Sequence, residues 1–185
     1  MLPLTTYPNI EIPLLNNNNP LLVCDADEVI FDFMTSFESY LNSQNLLFSW
    51  NSYALEGNIL DKNKKEIHKD FIKEIINDFF KANTVTMNLM NGAKKSLKKL
   101  SSKFNIIILS NIPFDFYEDR LKALKKNNLD FPFYTNKGTK GKVMKKIALE
   151  FKNNIWFIDD SPFQIKSVQQ AEKRIKTILF VGNTK

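Results

Sequence analysis

Three unbroken apolar runs in this chain each end in side chains that carry a charge or a hydroxyl. Residues 21–24 lead into Asp25 and Asp27, residues 106–109 into Ser110 and Asn111, and residues 155–158 into Asp159 and Asp160. Apolar runs of four or five residues without an alternating polar face mark strands covered on both sides, as in a parallel sheet wrapped by helices. Ligands of such sheets bind beyond the carboxyl ends of the strands. The three polar clusters are therefore expected to converge on one edge, with Lys140 between the second and third in sequence. Carboxylates, a hydroxyl and an amine gathered at one edge suit an enzyme, and phosphoryl transfer above other chemistries.

The remaining pattern supports that architecture. Beyond Gly92 a Lys-rich helix over 92–103 precedes the strand at 105–109. A helix over 114–127, a short strand at 131–135 and a helix over 140–151 come next. The strand at 155–158, a helix over 162–173 and a last strand at 177–181 complete the series. Alternation of this kind builds βαβ units, so the expected fold is α/β, a three-layer α/β/α Rossmann-like parallel sheet. Residues 33–88 break the alternation. Met34, Phe37, Tyr40, Leu41, Leu47 and Phe48 recur at roughly helical spacing, and Ile67, Phe71, Ile72, Ile75, Ile76, Phe79 and Phe80 form one stripe over 66–82. An aromatic loop, 50–59, lies between them. The organisation expected is a lead-in over 1–19, irregular because of Pro3, Pro8, Pro13 and the asparagine run at 16–19, then a core from 20–32 and 89–185 interrupted by a helical insertion, 33–88.

Bulk properties add limits. The 185 residues suffice for one domain with a modest insertion. The net charge of +6 would suit an anionic ligand. However, the basic residues are nearly all lysine, with arginine only at Arg120 and Arg174. An A+T-rich coding bias produces the same excess of Lys and Asn. No Lys/Arg cluster is interleaved with aromatics, so a nucleic-acid partner is not expected. The single cysteine, Cys24, excludes an intramolecular disulfide and reads as a small core residue. No apolar run approaches the ~18 residues of a membrane span, and no signal-peptide pattern opens the sequence. A cytoplasmic location is expected.

Each cluster has a chemical reading beside a structural one. Asp25 and Asp27 lie two apart just past a strand, where side chains i and i+2 point the same way. Two such carboxylates repel unless a cation lies between them or one holds a proton; a hard divalent cation with open sites, Mg²⁺, fits. A polar turn is the alternative. Asp159-Asp160-Ser161-Pro162 opens a helix with Ser161 as N-cap, proline at N1 and Gln164 at N3. Two adjacent aspartates exceed what capping requires. Ser110 and Asn111 offer a hydroxyl and an amide to an anion, or a turn before Pro113. In Gly138-Thr139-Lys140-Gly141-Lys142, Thr139 is the expected N-cap of the helix that follows. A lysine in a first helical turn costs about 0.3–1 kcal/mol against the helix dipole, a penalty that bound phosphate and clustered carboxylates reverse.

In order and residue type, LLVCDADEV, IIILSN, GTKGK and IWFIDDS resemble the four motifs of the haloacid-dehalogenase-like (HAD) superfamily, hhhhDxDx(T/V), hhhh(S/T), a lysine, and hhhhDD. The resemblance spans 21–182, with the insertion where members of the phosphatase branch carry a small helical cap. Glu28 departs from it, standing where many members have glycine. Either Lys140 or Lys142 matches the third motif; Lys140, beside the turn glycines, is preferred.

The resemblance implies that Asp25 attacks a phosphate to give an aspartyl-phosphate, while Asp27 protonates the leaving oxygen and later activates water. It implies Mg²⁺ held by Asp25, the Asp27 main-chain carbonyl and Asp160, with Asp159 acting through water. Ser110, Asn111 and Lys140 would bind the phosphoryl oxygens. Asp27 argues for a phosphatase over a dehalogenase, because halide departs without a proton. The insertion would close as a lid, with Trp50, Tyr53, Glu56, Asn58 and His68 as candidate substrate contacts. Trp50 and Tyr53 suit its core better, and His68 better suits the polar face of the 66–82 helix. The substrate expected is a small phosphorylated metabolite or nucleotide. A non-catalytic HAD-like scaffold and a phosphotransferase are the alternatives. A phosphate-accepting receiver domain fails on the order of its acidic residues and on the insertion.

Overall fold

The structure of the chain, a computed structural model, describes residues 6–8, 18–52 and 54–182. Its first elements are strands Thr6–Tyr7 (β1) and Leu21–Cys24 (β2), helix Phe33–Ser43 (α1), strands Leu46–Phe48 (β3) and Ile59–Asp61 (β4), and helix Lys69–Asn83 (α2). Helix Ala93–Leu100 (α3), strand Asn105–Ser110 (β5), helix Tyr117–Lys126 (α4) and strand Phe133–Asn136 (β6) follow. Helix Gly141–Glu150 (α5), strand Ile155–Asp159 (β7), helix Pro162–Ala171 (α6) and strand Lys176–Leu179 (β8) complete the chain.

Among the described residues six strands form one sheet in the order β1-β6-β5-β2-β7-β8. All neighbours are parallel except β1, which runs antiparallel to β6. The fold is thus α/β and Rossmann-like, and it differs from expectation at its first edge. Within the lead-in expected to be irregular, Thr6 and Tyr7 pair with Asn136 and Thr135. Two residues carry no readable strand period; the edge of β6 supplies the order.

Side-chain alternation divides the core into two faces. Leu22, Cys24, Ile106 and Ile108 pack with Leu97 of α3 and Ala123 and Leu124 of α4. Leu21, Val23, Ile107, Leu109, Ile155 and Phe157 pack with α5 and α6 through Val143, Met144, Ile147, Ile165 and Val168. A central strand with both faces buried has no polar position to spare, which explains the unbroken run at 21–24. Burial also pushes the Cys24 thiol up, far from thiolate chemistry.

The insertion differs more from its expected form. Helical spacing over 33–48 gives way at Gln44, the C-cap of α1, and Asn45 takes a positive φ of 58°. Leu47 and Phe48 therefore belong to β3, which pairs antiparallel with β4. Among the described residues the insertion holds two helices and a two-stranded sheet. Three-residue strands are too short to show a period of two against the aromatic background.

Candidate active site

Register assembles the site. Cys24 lies level with Ile108 on one side and with Ile158 on the other. The residues that follow leave the sheet together, and the Asp25 amide donates to the Ile158 carbonyl at 2.9 Å. Asp25, Asp159 and Asp160 each bring a carboxylate oxygen within 4.8 Å of the others. Lys140, only 1% exposed, donates through Nζ to Asp25 Oδ1 and, at 2.7 Å, to Asp159 Oδ2. Lys142 is exposed and borders a separate surface hollow with Thr139 and Phe163.

The local sequence shows why Lys140 arrives there. Gly138 turns the chain at φ +86°, a conformation that disfavours any side chain. The N-cap of α5 is Lys140, not Thr139, and no side chain caps it. Its amide donates instead to Gln164 Oε1 at 2.9 Å, while Gln164 Nε2 donates to the Gly138 carbonyl at 3.3 Å. Ser161 caps α6 as expected, accepting from the Gln164 amide at 3.4 Å, with Pro162 at N1. The Gln164 side chain reaches toward the lysine turn, so the fourth-motif helix braces the third-motif loop.

Electrostatics at this cluster are strained. Burial raises Asp25 well above the usual carboxylate range; Lys140 pulls it back, and Asp159, Asp160 and Asp27 push it up again. Asp160 is pushed up to about 7 by burial, then by Asp159, with Glu28 adding to the effect. Burial alone would lower Lys140, but Asp25 and Asp159 outweigh it and raise it. Three carboxylates facing one ammonium leave negative charge that a divalent cation would offset, and the donors are all hard oxygens. The residues fit Mg²⁺.

The Asp27 carboxylate lies outside this cluster. Its Oδ1 pairs with Arg120 Nη2 at 2.6 Å, and its Oδ2 accepts from Ser110 Oγ at 3.3 Å. Any metal contact from Asp27 is left to its main-chain carbonyl. Ser110 is fully buried and also accepts from the Ile112 amide at 3.0 Å. The Asn111 side chain is committed elsewhere, donating to the Gly138 carbonyl at 2.8 Å and accepting from Asn136 at 3.0 Å. It braces the turn while also lining the cavity above the carboxylates. Glu28 takes φ +61°, a left-handed conformation that favours glycine, and its Oε1 accepts from the Met34 amide at 2.5 Å at the start of α1.

Above the carboxylates lies a cavity of about 380 Å³. Asp25, Asp27, Lys140, Asp159 and Asp160 line one side; Phe33, Met34, Leu55 and Phe80 of the insertion, with Ile112, line the other. The expected insertion contacts are placed elsewhere. Trp50 donates to Glu38 at 2.9 Å and packs on Phe48, and Asn58 is buried on Ser52 and the Ala54 carbonyl. Glu56 borders a different hollow, and His68 is exposed at the N-cap of α2, beside Asp70. Tyr53 lies outside the described residues. Sequence reading favoured polar and aromatic groups, whereas the cavity draws on apolar ones: Phe33 and Met34 of α1, Phe80 of α2 and Leu55 of the loop. No helix among the described residues is long and apolar enough to cross a membrane.

No family model matches the chain, and no curated protein matches it. Solved structures do. A haloacid dehalogenase-like hydrolase of Streptococcus pneumoniae superposes with a TM-score of 0.60 at 16% identity, over 86% of this chain and 82% of that one. A magnesium-bound HAD-hydrolase of Bacillus subtilis gives 0.54 at 16% identity, over 86% and 87%. A HAD family hydrolase of Deinococcus radiodurans with bound phosphate and sodium gives 0.58 at 16% identity, over 85% and 78%. At such identity the likeness is one of fold, and the chain has the HAD-like fold.

Proposed function

We propose that this chain is a Mg²⁺-dependent phosphoric monoester hydrolase that acts through an aspartyl-phosphate on Asp25. One observation carries the reading: the Asp25 carboxylate, the Lys140 ammonium and the Asp159–Asp160 pair meet beneath one cavity at the carboxyl edge of the sheet. The bound magnesium and phosphate of the two structural neighbours accord with it.

Asp25, Asp159, Asp160 and the Asp27 carbonyl would hold Mg²⁺, which supplies charge neutralisation for the phosphoryl oxygens. Lys140 pulls Asp25 back toward its ionised form and aims it, since its Nζ already grips Asp25 Oδ1. In the first step an Asp25 oxygen bonds to phosphorus as the bond to the leaving oxygen breaks, and a proton passes from Asp27 to that oxygen. In the second, Asp27 takes a proton from water as water displaces Asp25 from phosphorus. Lys140 and, once its hydroxyl leaves Asp27 Oδ2, Ser110 would hold the phosphoryl oxygens. Phosphoryl transfer rewards this positioning and neutralisation more than covalent chemistry. The insertion would cover the reaction, and Phe33, Met34, Leu55 and Phe80 would meet the leaving group of a small phosphorylated metabolite or nucleotide.

Hydrolysis of p-nitrophenyl phosphate with and without Mg²⁺, in wild type and Asp25→Asn, tests the reading. Expected is turnover that requires the metal and falls to background in the variant. An Asp25→Asn protein that still turns over removes Asp25 as nucleophile. A wild type that binds Mg²⁺ by calorimetry yet hydrolyses nothing leaves a binding scaffold.

A further inference from the structure

Arg120 is one of only two arginines in a lysine-rich chain, and it is fully buried. Its guanidinium lies 4.2 Å over the Phe31 ring, and Nη1 lies 4.0 Å from the Met87 sulfur. Its ion-pair partner is Asp27, 93 residues earlier, and among the described residues its Nε has no hydrogen-bond partner. Burying a permanent charge is expensive unless a fixed partner answers it. A lysine at this position of α4 could have snorkelled outward; arginine is less strongly hydrated and stacks on an aromatic face. No solvent-facing role is open to a side chain that is 0% exposed.

We propose that Arg120 is the positioning residue for Asp27, assigning its two oxygens different tasks. The inference rests on the hydrolase reading above. Arginine has five donors and no acceptor. The oxygen it holds, Oδ1, must therefore be the proton-free one. In the neutral acid the proton resides on Oδ2, the oxygen that the Ser110 hydroxyl also contacts. The Asp27 side chain is 21% exposed and borders the cavity, so with Oδ1 held by the buried guanidinium, Oδ2 is the oxygen left to serve the leaving group. Phe31 and Met87 set the plane of the guanidinium, and that plane sets the rotamer of Asp27. Arg120 never touches substrate; it acts through Asp27 alone.

Leaving-group dependence separates this role from general structural support. The quantity to measure is kcat/KM for ethyl phosphate and p-nitrophenyl phosphate in wild type, Arg120→Lys and Arg120→Met, beside a crystal structure of Arg120→Met. An alkoxide needs the proton to depart and p-nitrophenolate does not. General acid catalysis contributes about 10²–10⁴-fold, so loss of aim predicts a fall of about 100-fold or more on ethyl phosphate and less than about tenfold on p-nitrophenyl phosphate. Asp27 in the crystal should leave its present rotamer. Equal losses on both substrates, or an Asp27 that keeps its rotamer without the guanidinium, overturn the inference. If Arg120→Met does not fold, Arg120→Lys reads the same ratio, because it keeps the charge and loses the planar group that stacks on Phe31. Wild type inactive on both substrates overturns the hydrolase reading, while the Asp27 rotamer in the variant crystal still decides the orienting contact.

Discussion

Asp160 connects the charge of the site to a measurable pH response. Its carboxyl, raised to about 7 by burial and then by Asp159, binds a proton more tightly in the folded than in the unfolded chain. A raised carboxyl subtracts stability as pH climbs from the ordinary carboxylate range toward the folded value. Asp25 shifts the same way and adds to the effect. Lys140, shifted up, stays protonated in both states throughout this span and contributes no slope. Metal-free protein should therefore gain from Asp160→Asn at about pH 7.5 and gain little at about pH 5. Mg²⁺ should raise the wild-type Tm most at the upper pH and much less in the variant. Melting curves at the two pH values check this, and equal gains at both would contradict it. At this scale Asp25, Asp159 and Lys140 were legible because each sits beside a strand end or a turn glycine. Arg120 was not, since its partner is 93 residues away and its helix presents it as one more surface cation. Gln164 was legible only as a helix-start residue; its bonds to the lysine turn depend on how α5 and α6 meet.

The meeting of those two helices is set by Gly141. A Cβ at this position would collide with the Ser167 carbonyl and press on the Cβ of Ala171. The obstacle is backbone, which cannot rotate away as a side chain can. Replacing glycine by alanine normally favours a helix by up to about 1 kcal/mol, and forced overpacking costs about 1–3 kcal/mol. Because the contact is with main chain, overpacking should win. Gly141→Ala is expected to lose about 1–2 kcal/mol in urea titration. It should also lower turnover, since Lys140 is the residue before it. An unchanged urea midpoint would mean that α5 and α6 separate freely. Among the elements, those of the parallel core were legible to within a few residues, because buried strands and amphipathic helices have distinct periods. Strands β1, β3 and β4 were not. They have two or three residues each, and only the partner edge defines them.

Across the molecule, the insertion is tied to the sheet through one continuous apolar cluster. Phe37, Phe48, Ile59 and Ile72 belong to the same buried group as Leu22, Cys24, Ile106 and Ile108. Phe79 is its hub within the insertion, fully buried, with ring centroids of Phe33, Phe37, Phe80 and Tyr40 between 5.1 and 5.6 Å away. Phe80 carries the contact onward to Phe116, 5.8 Å away in the turn before α4. A lid that swung as a separate body would have to break that path and wet it. Removing a buried phenyl ring costs about 3–5 kcal/mol, a large share of the 5–15 kcal/mol that holds a typical domain together. Phe79→Ala should therefore move the whole unfolding transition to lower temperature as one cooperative event, with calorimetric and van't Hoff enthalpies still equal. Two resolved transitions in scanning calorimetry would show instead that the insertion folds on its own. A single transition has a consequence for catalysis. With Phe33, Phe80 and Met34 held in the shared core, the apolar wall of the cavity is largely preformed, and under the proposed function substrate selection would rest on its fixed shape more than on closure.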